Sequence, residues 1–146
     1  ATDLSDQAQG ALSMAALLSG SIGEPMVALH VVDYSPVVVV PEAFGPGIPI
    51  PVSEDEHKAI LKAAGEKLVE ALTKLEIKAD RLIEEGAPAD RIVATAEQIE
   101  ASLVVIGTAG GGGLRRMLLG SVAEDVLRQA PCSVLLVRHH TSGGKE

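Results

Sequence analysis

The residues of this chain whose types and spacing suit chemistry are Gly107-Thr108-Ala109-Gly110 and, after nine intervening residues, Gly120-Ser121. Glycine lets backbone N–H groups approach an anion that a Cβ would hold away. The stretch follows an apolar run, Leu103-Val-Val-Ile106, and ends at a helix-like segment, 122–129. A helix N-terminus adds unpaired N–H groups and a partial positive charge. Together these imply a phosphate cradle, and so a nucleotide site. Two readings of Ser121 stand side by side. Its hydroxyl contacts phosphate, or it caps its own helix, because Ser121-Val-Ala-Glu124 has capping-box spacing. Gly110 to Gly113 reads either as cradle or as plain loop. Arg115 and Arg116 lie in the spacer, where one reaches phosphate or both stay in solvent.

No catalytic residue is assigned. The chain has no Gly-x-x-x-x-Gly-Lys-Ser/Thr run, so no lysine is built into the cradle. His30, His57, His139 and His140 are scattered, and no His/Cys cluster has metal spacing. Cys132 lies between Pro131 and an apolar strand and reads as a core thiol. No protein-held metal is expected; Mg²⁺ or Mn²⁺ would arrive with a triphosphate, held by its oxygens.

Alternating segments must position these residues. Ala8, Leu12, Ala15 and Leu18 recur at helical spacing within 6–18, and 26–32 reads as a buried strand. The Pro-, Gly- and Val-rich stretch 34–52 reads as a long loop. Ser53 and Glu56 make a capping box that opens a helix with Ile60, Leu61, Ala64, Leu68, Leu72 and Leu75 on its apolar face. A weak strand over 78–84 ends at Gly86-Ala-Pro88, which starts the helix of Ile92, Val93, Ala96 and Ile99. The strand 103–106, the glycine stretch, the helix from Val122 and a last strand, 133–137, complete the order. This alternation predicts an α/β fold with a mostly parallel sheet and right-handed crossovers. Residues 1–138 read as one domain and 139–146 as a polar tail. The order opens on a helix, where a doubly wound domain opens on a strand; the expectation is an apolar strand before Ala1.

Composition narrows the function. Hydrophobic residues make up 47% of the chain, with one Tyr, one Phe and no Trp. A nucleotide base would therefore rest on aliphatic side chains and backbone, not on an aromatic stack. The net charge of −8 argues against nonspecific nucleic-acid binding, which needs basic patches. A bound phosphate must then be attracted locally. One cysteine and no apolar run near 18 residues predict a cytoplasmic protein with no membrane contact.

The spacing from Gly107 to Ser121 resembles the nucleotide signature of the universal stress protein family. Ala1-Thr-Asp3-Leu-Ser5, Leu29-His-Val-Val-Asp33, Glu85-Gly-Ala-Pro88, Leu118-Leu-Gly-Ser-Val122 and 130–137 resemble other family segments in the same order. The resemblance implies an open, doubly wound, five-stranded parallel sheet in the order 3-2-1-4-5, helices on both faces, with the first strand missing from this chain. It implies an ATP or related adenine-nucleotide site in which Gly107, Gly110, Gly120 and Ser121 surround the phosphates, with Thr108 and Val122 beside them. Asp3 would face the ribose, the Val31 backbone would read the adenine edge, and Ala1 would line the base pocket. The plain structural alternatives are a helix N-cap or first-turn acid for Asp3 and strand core for Val31. Ala109, Gly111 and Gly112 stand where family loops often carry basic or hydroxyl residues, which leaves fewer phosphate donors.

On that strand order Val134, Leu135, Leu136 and Val137 form a sheet edge, and a short uncharged edge pairs readily with a second copy. The expected protein is a homodimeric, nucleotide-dependent sensor or switch with a further protein partner. The alternatives are an interaction module of the same fold that binds no nucleotide, and a slow ATPase.

Overall fold

The computed structural model describes residues 1–33, 37–39, 49–51, 53–108 and 119–138. Gly110, Arg115, Arg116 and the tail 139–146 lie outside them. After a 3-10 turn, Asp6–Ala8, helix α1 runs Gln9–Ile22. It stops at Gly23, whose φ of 74° is the left-handed cap conformation that glycine adopts without strain. Strand β1 is Val27–Val32. The stretch expected as a loop contains two short strands, β2 (Val37–Val39) and β3 (Pro49–Pro51), paired antiparallel. That corrects the loop expectation: the β-branched valine run outweighs the prolines around it.

Helix α2, Glu54–Lys74, opens on the expected capping box. Ser53 Oγ accepts from Glu56 N at 3.3 Å, and Glu56 Oε2 accepts from Ser53 N at 2.9 Å. Glu54, Asp55 and Glu56 in the first turn and Lys74 in the last match the helix dipole. Strand β4, Asp80–Glu85, pairs parallel with β1, from Val27 opposite Asp80 to Val32 opposite Glu85. Parallel neighbours need a crossover, and α2 is the helix within it. Gly86 follows with φ +125°, and a Cβ there would stand 3.4 Å from the Arg91 side chain. Arg91 in turn bonds Glu84 at 2.5 Å, tying the next helix to β4. That helix, α3, is Pro88–Gln98 with Pro88 in its first turn, where a missing N–H costs nothing. Strand β5 is Leu103–Gly107, helix α4 Ser121–Gln129 and strand β6 Ser133–Val137. β5 and β6 pair parallel, Leu103 opposite Ser133 through Gly107 opposite Val137.

The core lies on two faces. Leu29, Ile92, Ala96, Val104, Ile106, Ala123 and Val126 pack together under α3 and α4. Leu12, Ala28, Leu68 and Leu72 pack together under α1 and α2. Ala28 and Leu29 are neighbours in sequence and enter opposite cores, as strand alternation requires. Full burial of a side chain such as Leu68 contributes roughly 1.5–3 kcal/mol.

The fold is α/β with parallel strands and helices on both faces, as expected. The neighbouring pairs agree with the expected order: β4 beside β1, and β5 beside β6. The two pairs do not share a ladder with each other. Residues 1 and 2 lie between them: the Ala1 amine donates to Val105 O at 2.7 Å, and Thr2 N donates to Leu29 O at 2.9 Å. Among the described residues no helix is long and apolar enough to cross a membrane.

Candidate functional site

A cavity of about 250 Å³ sits at the C-terminal ends of β1 and β5. That is the edge where open α/β sheets take ligands. Its walls include Ala1, Asp3, Val31, Gly107, Gly120, Ser121 and Val122, all expected from sequence. The structure thus brings together residues more than a hundred positions apart. Leu29, Ile92, Ile106 and Ala123 supply an aliphatic lining.

Two helices present their N-termini to this cavity: α3 through Pro88, and α4 through Ser121, Val122 and Ala123. The first turn of any helix leaves N–H groups without intrahelical acceptors. At α4 the N-cap is Gly120, which has no side chain to cap them. Ser121 is the first helical residue, not the cap, and its hydroxyl makes no hydrogen bond among the described residues. The capping-box reading of Ser121 is therefore corrected. Glu124 does not reach back either; it accepts from Arg128 at 2.8 Å. Both helix N-termini bring a partial positive charge to a chain whose net charge is −8.

Thr108 is not in the cavity wall; it ties the ends of the glycine stretch together. Its N–H donates to Val137 O at 3.0 Å, and its carbonyl accepts from Gly120 N at 2.8 Å. This second bond holds Gly120 beside the end of β5. Asp3 is held by a local turn: its Oδ1 accepts from Ser5 N at 3.0 Å and from Ser5 Oγ at 2.6 Å. It is not the cap of the following turn, a position held by Ser5. Leu4 between them has φ 64°, a conformation that costs an L-residue energy and is stabilised here by Leu4 N donating to Thr2 Oγ1 at 3.1 Å. His30 Nδ1 lies 2.9 Å from Thr2 O, which pins the same segment from β1. Val31 packs partly against the core and also lines the cavity.

Sequence reasoning missed Thr2, Ala8 and Pro88 as parts of this wall. Pro88 had a usable signal: a proline at a helix start, directly after a strand exit, belongs to the ligand edge of such a sheet. Cys132 is partly buried against the core of α3 and α4. Among the described residues no group of three His, Cys, Asp or Glu side chains could hold a metal ion.

A parallel α/β domain with an aliphatic cleft at the strand ends and two helix N-termini facing it belongs to the class of small-ligand α/β binding domains. The sequence and structure comparisons narrow that class. The model of the universal stress protein family matches residues 1–138, and the chain belongs to that family. A universal stress protein of Methanocaldococcus jannaschii is 36% identical over 94% of this chain and 78% of its own length. One from Thermus aquaticus is 34% identical over 94% of this chain and 95% of its own. Among solved structures, UspA of Lactobacillus plantarum has a TM-score of 0.62 at 25% identity, covering 89% of this chain and 88% of that one. A universal stress protein solved with cAMP has a TM-score of 0.58 at 24% identity, covering 95% and 93%. One from Archaeoglobus fulgidus solved with dAMP has a TM-score of 0.54 at 22% identity, covering 93% and 91%. At those last identities the likeness is one of fold.

Proposed function

We propose that this protein binds an adenine nucleotide, ATP in the leading reading, and works as a cytoplasmic homodimeric sensor or switch. The observation that carries the reading is the aliphatic cavity lined by Gly107, Gly120, Ser121 and Val122 together with Asp3 and Val31. In this reading the uncapped amides of α4 and the Ser121 hydroxyl meet phosphate. The Asp3 carboxylate accepts from ribose hydroxyls, and the backbone at Val31 reads the adenine edge. Ala1, Leu29 and Ile92 cover the base with aliphatic surface. Thr108 acts as a positioning residue, through the bond from Gly120. Gly110 and one of Arg115 and Arg116 complete the phosphate contacts. Mg²⁺ or Mn²⁺ enters with the triphosphate and is held by its oxygens. Family relatives supply the setting, and the nucleotides in two fold neighbours supply the probes to try.

Calorimetric titration of the protein with ATP, AMP, cAMP and dAMP tests this. Saturable binding of at least one, together with nucleotide released from the denatured purified protein by mass spectrometry, is the expected result. No heat and no released nucleotide would overturn it and favour the interaction module. The dimer is proposed to form through β6, which ends its strand pair at Val134–Val137. Leu136→Lys is expected to give monomers by light scattering; an unchanged dimer would count against that edge.

A further inference from the structure

Successive residues of β1 serve two different spaces. Leu29 and Val31 line the nucleotide cavity; His30 and Val32, on the opposite face of the strand, line a groove beside α2 together with Lys67. Asp3 borders both spaces. Its carboxylate therefore has two rival partners, a ligand hydroxyl in the cavity and the Lys67 ammonium in the groove. Residues 2–5 belong to no helix or strand, so individual bonds fix this segment. Thr2 is its anchor. It is 8% exposed, and each of its polar atoms has a partner. Its N–H donates to Leu29 O at 2.9 Å, its Oγ1 accepts from Leu4 N at 3.1 Å, and its carbonyl lies 2.9 Å from His30 Nδ1. A carbonyl oxygen only accepts, so Nδ1 carries the proton of that last bond. The Leu29 bond fixes the peptide plane before Thr2, and the His30 bond fixes the next one, which leads into Asp3.

We propose that His30 is a positioning residue for sugar recognition: by holding the Thr2–Asp3 peptide it directs the Asp3 carboxylate to the nucleotide cavity, in fixed relation to the Val31 backbone, and so makes the site prefer ribose to 2′-deoxyribose. This rests on the nucleotide reading above and adds to it a selectivity set by a side chain outside the cavity wall. The chemistry follows from the groups. A carboxylate accepts from both hydroxyls of a cis-diol, and 2′-deoxyribose has lost one of them. That gain depends on where the carboxylate is held, and a small displacement of it forfeits the gain. Leu4, with φ 64°, and the two bonds from Ser5 to Asp3 Oδ1 close the turn after Asp3. They shape the turn locally, whereas the His30 bond ties it to the strand that carries Val31.

Two variants of equal size separate this role from packing. His30→Asn keeps a donor, since its amide nitrogen stands as many bonds from Cα as Nδ1 does; His30→Leu has the same shape and no donor. Calorimetric titration of the native protein and both variants with ATP and with 2′-deoxy-ATP reads the ratio of the two affinities. The native protein is expected to favour ATP by roughly tenfold, and His30→Asn to keep that ratio within about threefold. His30→Leu is expected to bring the ratio below about twofold, through a loss on ATP with little change on 2′-deoxy-ATP. Equal losses on both nucleotides in His30→Leu, the same ratio in the two variants, or a native protein without preference for ribose overturns the proposal. A native protein that binds neither nucleotide overturns the nucleotide reading itself, and this proposal with it. Amide exchange gives a readout that needs no ligand: His30→Leu is expected to speed exchange at Leu4 and Ser5 by roughly tenfold relative to His30→Asn, and equal rates overturn the proposal. If His30→Leu does not fold, His30→Gln, whose amide nitrogen takes the place of Nε2 instead of Nδ1, replaces it and is judged by the same ratio.

Discussion

Helices α2 and α4 begin with the same sequence pattern, Ser-x-x-Glu, and use it in opposite ways. At α2, Ser53 and Glu56 bond each other's backbone N–H, and the first turn is satisfied from within. Three acidic residues in that turn would repel an anion. At α4 the chain enters through Gly120, Ser121 is already helical, and Glu124 turns away to Arg128. The first turn of α4 faces a cavity instead of capping itself. One helix start is built for stability. The other keeps its N–H groups available at a further cost in stability. Local sequence does not distinguish them; the bond from Gly120 N to Thr108 O does, by holding Gly120 extended at the cap position.

The largest expected effect that tests this contrast is at Gly120. Its φ of −64° and ψ of 146° are open to any L-residue, so Gly120→Val keeps the backbone and puts two methyl groups into the cavity wall. Adenine-nucleotide affinity is expected to fall more than about tenfold, or 1.4 kcal/mol, by calorimetry. Undiminished affinity would remove α4 from the site. Next comes Ser53→Ala, which deletes the α2 cap. It is expected to cost about 1 kcal/mol and to lower Tm by roughly 2–4 °C, with nucleotide affinity unchanged. Ser121→Ala should do the reverse: a loss of about threefold in affinity and a stability change within roughly 0.5 kcal/mol. If it lowers Tm as much as Ser53→Ala, Ser121 is a cap and the contrast fails.

The smallest effect is in the pH dependence. The backbone bond from Ser53, and then its hydroxyl, hold the Glu56 carboxyl below the ordinary value of 4.5. A lowered acid pKa gives stability that is complete above the ordinary value and is lost as pH falls through the lowered one. The Tm gap between the native protein and Ser53→Ala should therefore narrow as pH drops below 4.5. A gap that stays constant down to acid denaturation would mean that Glu56 does not join the cap as an anion.

Much of the fold was legible because its signals are local and unopposed. Ala64, Leu68 and Leu72 at helical spacing mark the buried face of α2, and Gly86 with Pro88 marks the passage from β4 into α3. β4 read as weak because its ends are charged: Asp80, Arg81 and Glu85 are exposed and only its middle is partly covered. The β2–β3 pairing was missed because Val37–Val39 carries no alternation, and the stretch around it is dense in proline and glycine. In the cavity wall, Gly107, Gly120 and Ser121 were legible from spacing, whereas Asp3 and Val31 entered through family resemblance. Thr108 was expected as a contact and acts as a brace, a role set by Val137 and Gly120, to which sequence spacing gives no access. Pro88 and Thr2 escaped because the cavity is assembled by tertiary packing from segments with no shared motif.

The most direct test of the central claim is an amide-resolved NMR titration of the protein with ATP. Saturable shifts at residues 120–123 of α4 and at 31–32 of β1, with residues 54–56 of α2 unmoved, are the predicted result. Shifts at the α2 start, or none at 120–123, would contradict the account.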